Sequence, residues 1–547
     1  MKDNFLILDR IEGPADLRKL DHARLPQLAD ELRRYVLDCG KGKSGHVRSS
    51  LAVTELSLAL HYHFNTPEDI LIWDVGHQSY VHKILTGRRK DFENIRQFKS
   101  ISGFTSSSES PFDPFGAGHS STALSALAGY AFADAQSGAK RKKVAVIGDG
   151  GLTGGMAFEA LNFLGERKED VLLVLNDNGR SIDKNVGALH HHGRYDQFFR
   201  ALGWAYHGSI DGNELNALLP ALGAIDEQGG PRVLHLKTAL PPLPEVSASS
   251  KAITFQSALA DMLAKKLWEV EKLHLLSPAM LSGAGFTGLK ENFPARVNDV
   301  GIAEQHAVTM AAGMAAAGAL PLCHLYSTFA QRAADQIIHD VALQNLPVFF
   351  VFDRAGLVGA DGATHHGVFD VALFSGVPNL EIYNPATAGE MQLILDSYFE
   401  RPRPLIMRIP KANLPETGFE AGALKHTELK PLGQRLLIST GLLSAEIHRQ
   451  NLPAGWAHWH LNQLRPFDYG HLAKRLSTFE KILTVEEQVA SGGMGEKIAA
   501  LLAAERLNVK LRCLSLPDRF IQHGLREALL DEAGISPAKL QAELLRD

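Results

Sequence analysis

The sequence predicts an α/β protein made of three doubly wound units with mainly parallel sheets. Short apolar runs recur along the chain, and amphipathic or Ala-rich helical stretches lie between them. Strands that alternate with helices in this way are typical of parallel sheets. A Pro- and Ser-rich stretch at 239–251 and a second connection at 411–434 divide the chain into three parts. The length of 547 residues also suits several domains.

Each predicted unit is defined by its strands. In the first unit, helices over 24–40 and 50–63 precede strands over 143–147, 171–175 and 232–237. In the second, strands are predicted near 272–276, 320–325 and 347–352, and helices near 302–317 and 328–344. In the third, strands are predicted over 435–439, 456–460, 481–485 and 509–514. The predicted domains are residues 1–245, 252–412 and 430–547.

Composition excludes several classes of function. The chain is 45% apolar and 21% charged, which is ample material for hydrophobic cores. Its net charge of −5 argues against nucleic acid or an anionic membrane as the main partner, and it has no apolar run long enough to span a membrane. The three cysteines lack metal-site spacing and the first residues lack a signal-peptide core, so we expect a cytoplasmic protein.

Two short polar signatures follow apolar runs in the first unit. Residues 148–150 are Gly-Asp-Gly and residues 176–178 are Asn-Asp-Asn. Because parallel strands end at the same edge of a sheet, Asp149 and Asn178 should lie close together there. Their oxygens, with those of a diphosphate, suit Mg²⁺, and the glycines allow the backbone to approach phosphates. The alternative is a pair of polar turns in an ordinary Rossmann-like domain.

The spacing of these signatures resembles that of thiamine diphosphate (ThDP) enzymes. A more specific resemblance, to the transketolase-like 1-deoxy-D-xylulose-5-phosphate synthase family, is carried by residues 71–78, 83–89, 116–122, 299–308, 326–332, 353–365 and 516–520. It implies a transketolase-like fold, ThDP and Mg²⁺ as cofactors, and a homodimer. It also implies that pyruvate is decarboxylated and its two-carbon unit transferred to D-glyceraldehyde 3-phosphate. The three domains would bind the diphosphate, bind the pyrimidine, and form the transketolase C-terminal domain.

The resemblance assigns two residues to the pyrimidine of the cofactor. Glu304 matches the activating glutamate, whose carboxyl group meets the aminopyrimidine ring. It starts an Ala-rich helix in apolar surroundings, where a carboxyl group can stay protonated. Phe329 matches the aromatic residue that stacks on the pyrimidine. The plainer alternatives are a glutamate favoured by the helix dipole and an ordinary core phenylalanine.

The resemblance also assigns the diphosphate end of the cofactor. Asp149, Asn178 and the carbonyl group of Arg180 match the Mg²⁺ ligands. Further cofactor contacts are expected from His77, Gly118, His119, Ser120, Gly150 and Gly151. Ser121 and Thr122 are good helix N-caps, which predicts that a helix N-terminus also faces these phosphates.

Substrate contacts follow from the same resemblance. The catalytic histidines of the family match His46, His77 and His365. The acceptor carries a phosphate, for which arginine is well suited because its fork binds bidentately. The acceptor-site residues of the family match Tyr326, Arg332, Arg354, Asp361, His365 and Lys411. Weaker candidates for chemistry are His82, His119, His306, His339 and His366.

The chain lacks two stretches that are usual in the family. A mobile segment normally follows Leu189, and here three histidines at 190–192 come instead; we expect a solvated loop there rather than a metal site. The family's Thr-Lys-Lys-Gly-x-Gly-Tyr is replaced at 238–244, which removes a lysine that helps to neutralise the diphosphate. An active-site histidine just after that stretch is also missing. Lys237 and Lys251 are the candidate replacements for the lysine.

Two further departures are substitutions. Lys411 stands where the family has a phosphate-binding arginine, so the charge is kept and the bidentate fork is lost. Gly-Arg at 179–180 replaces Glu-Met, a change that a backbone metal ligand tolerates. In the third unit, the Gly-rich residues 492–495 are expected to form a structural turn rather than an anion cradle.

Three hypotheses stay open at this point. The leading one is the reaction of the synthase family, because Glu304, Asp149 and Asn178 are all intact. A divergent ThDP-dependent ketol transferase with another acceptor or donor would explain the altered phosphate contacts. A catalytically inactive paralogue that serves as a binding subunit would bind ThDP weakly or not at all.

Overall fold

The computed structural model describes residues 5–40, 45–242, 252–416, 424–467 and 469–546. Contacts within the chain separate two compact units, Met1–Ala248 with Gly301–Ala303 and Ser249–Val300 with Glu304–Asp547. The first unit contains one β-sheet and the second contains two. Across the described ranges, no helix is both long and apolar enough to cross a membrane.

The first unit has a five-stranded sheet. Its strands are β1 (Ile70–Trp73), β2 (Lys143–Gly148), β3 (Val171–Asp177), β4 (Ala205–Asp211) and β5 (Pro231–Lys237). In the order β1-β2-β3-β5-β4, neighbouring strands are parallel. β3 is buried along its whole length, as expected of a central strand with both faces covered. Residues that follow β1, β2 and β3 therefore meet at one edge of the sheet.

Helices surround this sheet. The α-helices span Pro14–Leu17, Leu25–Gly40, Val47–Leu51, Thr54–His63, Tyr80–Lys83, Arg89–Phe92, Ala123–Ser137, Asp149–Leu152, Gly155–Arg167, Ala188–His192, Tyr195–Ala201 and Leu215–Asp226. Short 3₁₀ turns lie at Leu8–Arg10 and His22–Arg24, and a π-helical turn at Ile84–Arg88. The longest helix buries Leu28, Leu32 and Val36 on one face, the spacing expected of an amphipathic helix.

The predicted strands of the first unit are confirmed, and two strands were missed. The predicted helix over 50–63 is two helices, Val47–Leu51 and Thr54–His63. β1 was missed because it has only four residues. β4 was missed because its sequence, Ala-Tyr-His-Gly-Ser-Ile-Asp, is mostly polar, which an edge strand that pairs on one side tolerates.

The described residues of the second unit form twelve strands in two sheets. They are β6 (Leu273–Ser277), β7 (Val297–Asp299), β8 (Leu320–Tyr326), β9 (Phe349–Asp353), β10 (Glu381–Tyr383), β11 (Leu405–Ile409), β12 (His426–Lys430), β13 (Arg435–Ser439), β14 (Trp456–Leu461), β15 (Gln463–Arg465), β16 (Lys481–Val489) and β17 (Lys510–Leu516). One sheet has the order β15-β10-β11-β9-β8-β6-β7, with β15 antiparallel to β10 and the other pairs parallel. The other has the order β12-β14-β13-β16-β17, with β12 antiparallel to β14 and the other pairs parallel.

Helices of the second unit connect these strands. The α-helices span Phe255–Glu269, Thr287–Asn292, Glu304–Ala316, Ser327–Ala330, Ala334–Gln336, Asp370–Phe374, Ala388–Glu400, Leu442–His448, Tyr469–Leu476, Met494–Ala504, Arg526–Glu532 and Pro537–Leu545. Short 3₁₀ turns lie at Gln331–Ala333 and Gly362–Thr364, and a π-helical turn at Ile337–Ala342. The helix Phe255–Glu269 begins with a capping box in which Thr254 and Ser257 satisfy each other's backbone N–H groups.

The predicted strands of the second unit are also confirmed, with one helix in error. The helix predicted over 328–344 is divided into short α, 3₁₀ and π segments. Five strands were missed. Three of them, β7, β10 and β15, have three residues each, too few to give a recognisable pattern. The other two, β11 and β12, have five residues each, and β12 lies within the predicted connection 411–434. β15 lies in the third predicted unit, but it pairs with β10 and so belongs to the sheet of the second predicted unit. The domain bounds 1–245, 252–412 and 430–547 stay a prediction.

Gly165 offers a test of the packing of the first unit. A Cβ atom at this position in helix Gly155–Arg167 would lie 1.8 Å from the backbone carbonyl oxygen of Leu202. Gly165→Ala should therefore lower the free energy of unfolding by about 1–3 kcal/mol, although alanine is normally preferred to glycine inside a helix.

Gly129→Ala is the matched control for this variant. Gly129 also lies inside a helix, Ala123–Ser137, and nothing lies within 4 Å of its added Cβ atom. It should leave stability unchanged or raise it by up to about 1 kcal/mol. Thermal unfolding of both variants measures the difference, and equal melting temperatures would contradict the close approach of Leu202 to this helix.

Candidate active site

Asp149 lies directly after β2, at the start of helix Asp149–Leu152, and is buried. Its Oδ2 accepts hydrogen bonds from Gly179 N at 3.0 Å and Asn185 Nδ2 at 2.6 Å. Its Oδ1 is buried and has no hydrogen-bond donor among the described residues. Burial, and then the charge of Asp177, raise the pKa of Asp149 to about 7. A bound cation would satisfy the orphan oxygen and favour the charged carboxylate.

The turn after β3 places the two other predicted metal ligands beside Asp149. Gly179, which donates to Asp149, stands between Asn178 and Arg180 and has a φ of 73°, a conformation that favours glycine. Asn178 Oδ1 accepts from Arg180 N at 3.0 Å and keeps a second lone pair. No cluster of three His, Cys, Asp or Glu side chains suited to a metal occurs in the described ranges. A carboxylate, an amide oxygen and a carbonyl are hard ligands, which suit Mg²⁺.

Glycine is required at 150 and 151 for packing within the protein. A Cβ atom on Gly150 would lie 2.9 Å from Ser181 Cβ, and one on Gly151 would lie 2.7 Å from Asp74 Oδ2. We expected these glycines because phosphates need room. The structure adds a second reason that holds without any ligand.

Asp74, directly after β1, binds the start of helix Ala123–Ser137. Its Oδ2 accepts from Ser121 N at 2.8 Å, and its Oδ1 accepts from Thr122 N at 3.0 Å and Ala123 N at 3.1 Å. Thr122 makes no side-chain cap. The prediction that Ser121 and Thr122 cap this helix and leave its N-terminus to the phosphates is therefore wrong. These amides already have an acceptor, the carboxylate of Asp74.

The predicted diphosphate loop at 118–120 is joined to the loop that follows β2. Ser121 has a φ of 70°, and its Oγ donates to the carbonyl oxygen of Gly151 at 2.7 Å. A Cβ atom on Gly154 would lie 2.2 Å from the same hydroxyl group. The structure thus brings Gly118, His119 and Ser120 to the sheet edge that holds Gly150 and Gly151.

His46 and His77 lie together, with ring centroids 5.8 Å apart. His77 follows a γ-turn in which Gly76 N donates to the carbonyl oxygen of Asp74 at 2.6 Å. At the centre of that turn Val75 has a φ of 61°, which is rare for a β-branched residue and typical of strained functional sites. Burial, and then the charge of His46, lower the pKa of His77 to about 3. Its neutral ring has a buried Nδ1 without a partner among the described residues.

Of the two candidate replacements for the missing diphosphate lysine, the structure describes one, Lys237. Lys237 forms an ion pair with Asp177. Burial alone would raise the pKa of Asp177, yet hydrogen bonds from His235 and Lys237 hold it well below its usual range. Lys237 is therefore already paired with a carboxylate. Lys251 lies outside the described residues.

Residues 190–192 are helical, so the prediction of a solvated loop is wrong. They end the short helix Ala188–His192. His191 and His192 are exposed, whereas the side chain of His190 is 26% exposed and its Nδ1 lies 3.9 Å from Asp149 Oδ2. The sequence could not place His190, because no local pattern brings this residue beside Asp149.

In the second unit, Glu304 begins helix Glu304–Ala316 and is buried. Its Oε2 has no hydrogen-bond donor in the described part of the chain, and Arg332 Nη1 lies 3.9 Å away, beyond hydrogen-bond distance. Burial raises the pKa of Glu304, and the charge of Arg332 offsets this only in part. The direction agrees with a protonated carboxyl group, which can donate a hydrogen bond to a ring nitrogen.

Phe329 lies in helix Ser327–Ala330 and is only partly buried, which argues against a pure core role. Its ring is stacked with that of Tyr326 at 5.4 Å between centroids and 8° between planes. It meets the ring of His365 edge-on at 5.6 Å. The structure therefore brings these three predicted site residues together, as a platform suited to a heteroaromatic ring.

Arg354 and Lys411 line a cavity of about 720 Å³ in the second unit. Other polar groups of the lining include Gln256 and Asn413. Two cationic side chains at one cavity suit a phosphate group.

Aromatic and acidic neighbours position these two cations. The guanidinium carbon of Arg354 lies 4.3 Å from the ring centroid of Tyr326, and its Nη1 donates to Asp353 Oδ2 at 2.5 Å. Lys411 Nζ donates to Asp361 Oδ2 at 3.2 Å. Four of the predicted acceptor-site residues, Tyr326, Arg354, Asp361 and Lys411, are thus connected. Arg332 lies beside Glu304 instead and is not part of the cavity lining.

Four of the five weaker histidine candidates have structural surroundings or are exposed. His366 is buried and accepts from Val358 N at 3.0 Å. His82 is buried against Asp113, and exposed His339 pairs with Asp340. His306 is exposed.

The Gly-rich stretch at 492–495 forms a structural turn, as predicted. Glu486 accepts hydrogen bonds from Met494 N and Gly495 N, each at 2.8 Å. The N-terminus of helix Met494–Ala504 is therefore occupied by a carboxylate of the protein, and no anion is needed there.

Sequence reasoning missed several residues of the site. Asp74 stands directly after a strand, which is the usual position of functional side chains in such sheets, so that signal was present. Asn185 follows the Asn-Asp-Asn signature closely and bonds the metal-site carboxylate. Gln256 and Asn413 are far apart in sequence and meet only in the fold, so no local pattern points to them.

Family models match three parts of the chain. Residues 8–195 match the family model described as 1-deoxy-D-xylulose-5-phosphate synthase. Residues 251–417 match the pyrimidine binding domain of transketolase, and residues 459–540 match its C-terminal domain. With the three mainly parallel sheets, these matches show a transketolase-like α/β fold.

The chain is similar over nearly its whole length to curated bacterial proteins. A 1-deoxy-D-xylulose-5-phosphate synthase of Alkalilimnicola ehrlichii is 40% identical, and the match covers 99% of this chain and 97% of that protein. One of Magnetococcus marinus is 38% identical, covering 98% and 99%. The first alignment spans 615 residues and this chain has 547, so at least 68 aligned positions have no residue here, in keeping with the missing segment.

A transketolase structure from Campylobacter jejuni is also similar. It is 17% identical, with 96% of this chain and 100% of that chain covered, and the TM-score is 0.48. A TM-score this low adds no support to the sequence matches.

Proposed function

The chain belongs to the 1-deoxy-D-xylulose-5-phosphate synthase family, and we propose that it catalyses the reaction of that family on ThDP. Pyruvate loses CO₂, and its two-carbon unit is joined to D-glyceraldehyde 3-phosphate to give 1-deoxy-D-xylulose 5-phosphate. The inactive-paralogue hypothesis is disfavoured, because a binding subunit has no use for an activating carboxyl group kept buried at a cost.

One observation carries this proposal, the state of Glu304. The side chain is buried, its Oε2 has no donor among the described residues, and burial raises its pKa. A buried polar atom without a partner costs free energy and calls for an explanation. The missing partner would be a ring nitrogen of a bound aminopyrimidine, to which protonated Glu304 would donate a hydrogen bond. Buried acids with a raised pKa are typical of catalytic sites.

The first unit offers residues that fit the metal and the diphosphate. Asp149, Asn178 and the carbonyl group of Arg180 would hold Mg²⁺, and the orphan Asp149 Oδ1 is the observation that supports it. The loops at 118–120 and 150–151 would hold the diphosphate. When bound, ThDP supplies the carbon nucleophile and the electron sink that decarboxylation requires.

Each unit offers groups that suit the substrates. His46 and His77 offer neutral or partly exposed imidazoles for the carboxylate and the reacting oxygen of pyruvate. Arg354 and Lys411 would bind the phosphate of the acceptor in the cavity they line. His365, beside Phe329, would hydrogen-bond the acceptor aldehyde.

A homodimer and a cytoplasmic location are part of the proposal. Four large apolar side chains are exposed on two adjacent helices of the first unit: Phe132, Met156, Phe158 and Phe163. Large exposed apolar side chains favour cover by another protein surface, for which a second copy is the simplest choice. None of Cys39, Cys323 and Cys513 forms a disulfide in the described structure, which suits a reducing compartment.

A divergent ketol transferase remains the second candidate. The observation in its favour is that the acceptor cavity holds Lys411, already paired with Asp361, where the family has arginine. Such an enzyme would consume pyruvate without a preference for D-glyceraldehyde 3-phosphate.

Release of CO₂ from pyruvate tests the proposed function. The purified chain would be mixed with ThDP, Mg²⁺ and pyruvate, with and without D-glyceraldehyde 3-phosphate, and the sugar product identified. We expect release that depends on the acceptor, and formation of 1-deoxy-D-xylulose 5-phosphate. Release that ignores the acceptor would favour the divergent transferase, and failure of ThDP to bind would favour the inactive paralogue.

Lys411→Arg tests the assignment of the acceptor phosphate. An arginine fork makes two parallel hydrogen bonds to phosphate where the lysine makes a point contact. The variant should lower the KM for D-glyceraldehyde 3-phosphate about fivefold, a gain of about 1 kcal/mol, while the KM for pyruvate stays the same. Lys411→Met should raise the acceptor KM. If neither variant changes it, Lys411 does not contact the phosphate.

A further inference from the structure

His190 stands apart from the two histidines that follow it. The three end one short helix, but His191 and His192 are exposed while the side chain of His190 is 26% exposed. Its Nδ1 lies 3.9 Å from Asp149 Oδ2. This is too long for a hydrogen bond, and Asp149 Oδ2 already accepts from two other groups.

A second observation places His190 beside the turn that follows β3. A Cβ atom added to Gly179 would lie 3.7 Å from His190 Cε1, so the imidazole ring lies next to this glycine. Gly179 separates the two other predicted metal ligands, Asn178 and Arg180. His190 therefore lies beside both parts of the metal site, the carboxylate after β2 and the turn after β3.

The connection that contains His190 is short. Residues 185–194 join the turn after β3 to helix Tyr195–Ala201. The relative from Alkalilimnicola ehrlichii has at least 68 aligned positions more than this chain. The chain also lacks a lysine expected at the cofactor diphosphate, and Lys237 is paired with Asp177 instead. His190 is thus a polar side chain beside the metal site of a chain that lacks one expected phosphate contact.

We propose that His190 is a diphosphate-binding residue of this enzyme, which donates a hydrogen bond from its ring to the cofactor and takes over part of the role of the missing lysine. The inference rests on the proposed function, because it needs a diphosphate at this site. Donation to an anionic phosphate oxygen is favoured over metal ligation, since the other donors are hard oxygens. A purely structural pair with Asp149 is disfavoured by the 3.9 Å separation.

Binding of ThDP to His190 variants tests the proposal without relying on catalysis. Titrations with Mg²⁺ present, followed by tryptophan fluorescence or calorimetry, would compare wild type with His190→Ala, His190→Lys, His191→Ala and His192→Ala. Loss of a charge-assisted hydrogen bond should weaken ThDP binding by about tenfold or more in His190→Ala. Inorganic diphosphate with Mg²⁺, as a competitor, should be weakened in parallel. His190→Lys should restore most of the affinity.

The two neighbouring histidines and the cofactor-free protein are the controls. His191→Ala and His192→Ala should bind ThDP as wild type does, and the melting temperature of cofactor-free His190→Ala should be unchanged. If His190→Ala binds ThDP with wild-type affinity, the proposal is overturned. It is also overturned if His190→Ala binds ThDP more weakly, has a lower melting temperature, and His190→Lys does not restore the affinity. Failure of the wild type to bind ThDP would contradict the proposed function itself, and the inference with it.

Discussion

The proposed site depends on buried carboxyl groups that each have an oxygen atom without a hydrogen-bond donor. Asp149 in the first unit and Glu304 in the second are both buried, and each has an oxygen without a donor among the described residues. Such atoms lose their hydration and gain nothing in return, at a cost of about 1–3 kcal/mol or more. A folded protein bears that cost where a ligand later supplies the missing partner.

Two other buried carboxylates have hydrogen-bond donors for their oxygens. Asp74 accepts three backbone N–H groups at the start of one helix, and Glu486 accepts two at the start of another. These amides are therefore not open to a phosphate. Asp74 and Glu486 thus hold the scaffold together, whereas for Asp149 and Glu304 we propose a metal and a cofactor as the missing partners.

The sequence predicts the parts of the site that depend on local pattern. Asp149 and Asn178 were placed correctly because a strand followed by a polar turn fixes them at the sheet edge, and the burial of Glu304 agrees with its apolar surroundings. Asp74 and Ser121 are far apart in sequence, so the cap between them could not be predicted from either alone. The position of His190 beside Asp149 could not be predicted from a local pattern either. Nor could that of Arg332, whose side chain lies beside Glu304 rather than in the acceptor cavity.

The stability of Glu304→Gln, measured on cofactor-free protein as pH is varied, tests the central claim most directly. Because folding raises the pKa of Glu304, the folded state holds this proton more tightly than the unfolded chain. The free energy of unfolding of the wild type should therefore fall as pH rises from the ordinary glutamate range to the raised pKa. The fall is about 1.4 kcal/mol for each pH unit in that range. Glutamine stays neutral, so the variant should be the more stable protein at neutral pH, while its synthase activity is lost. A variant that is less stable than wild type at every pH would make Glu304 a structural partner of Arg332 and would contradict the account.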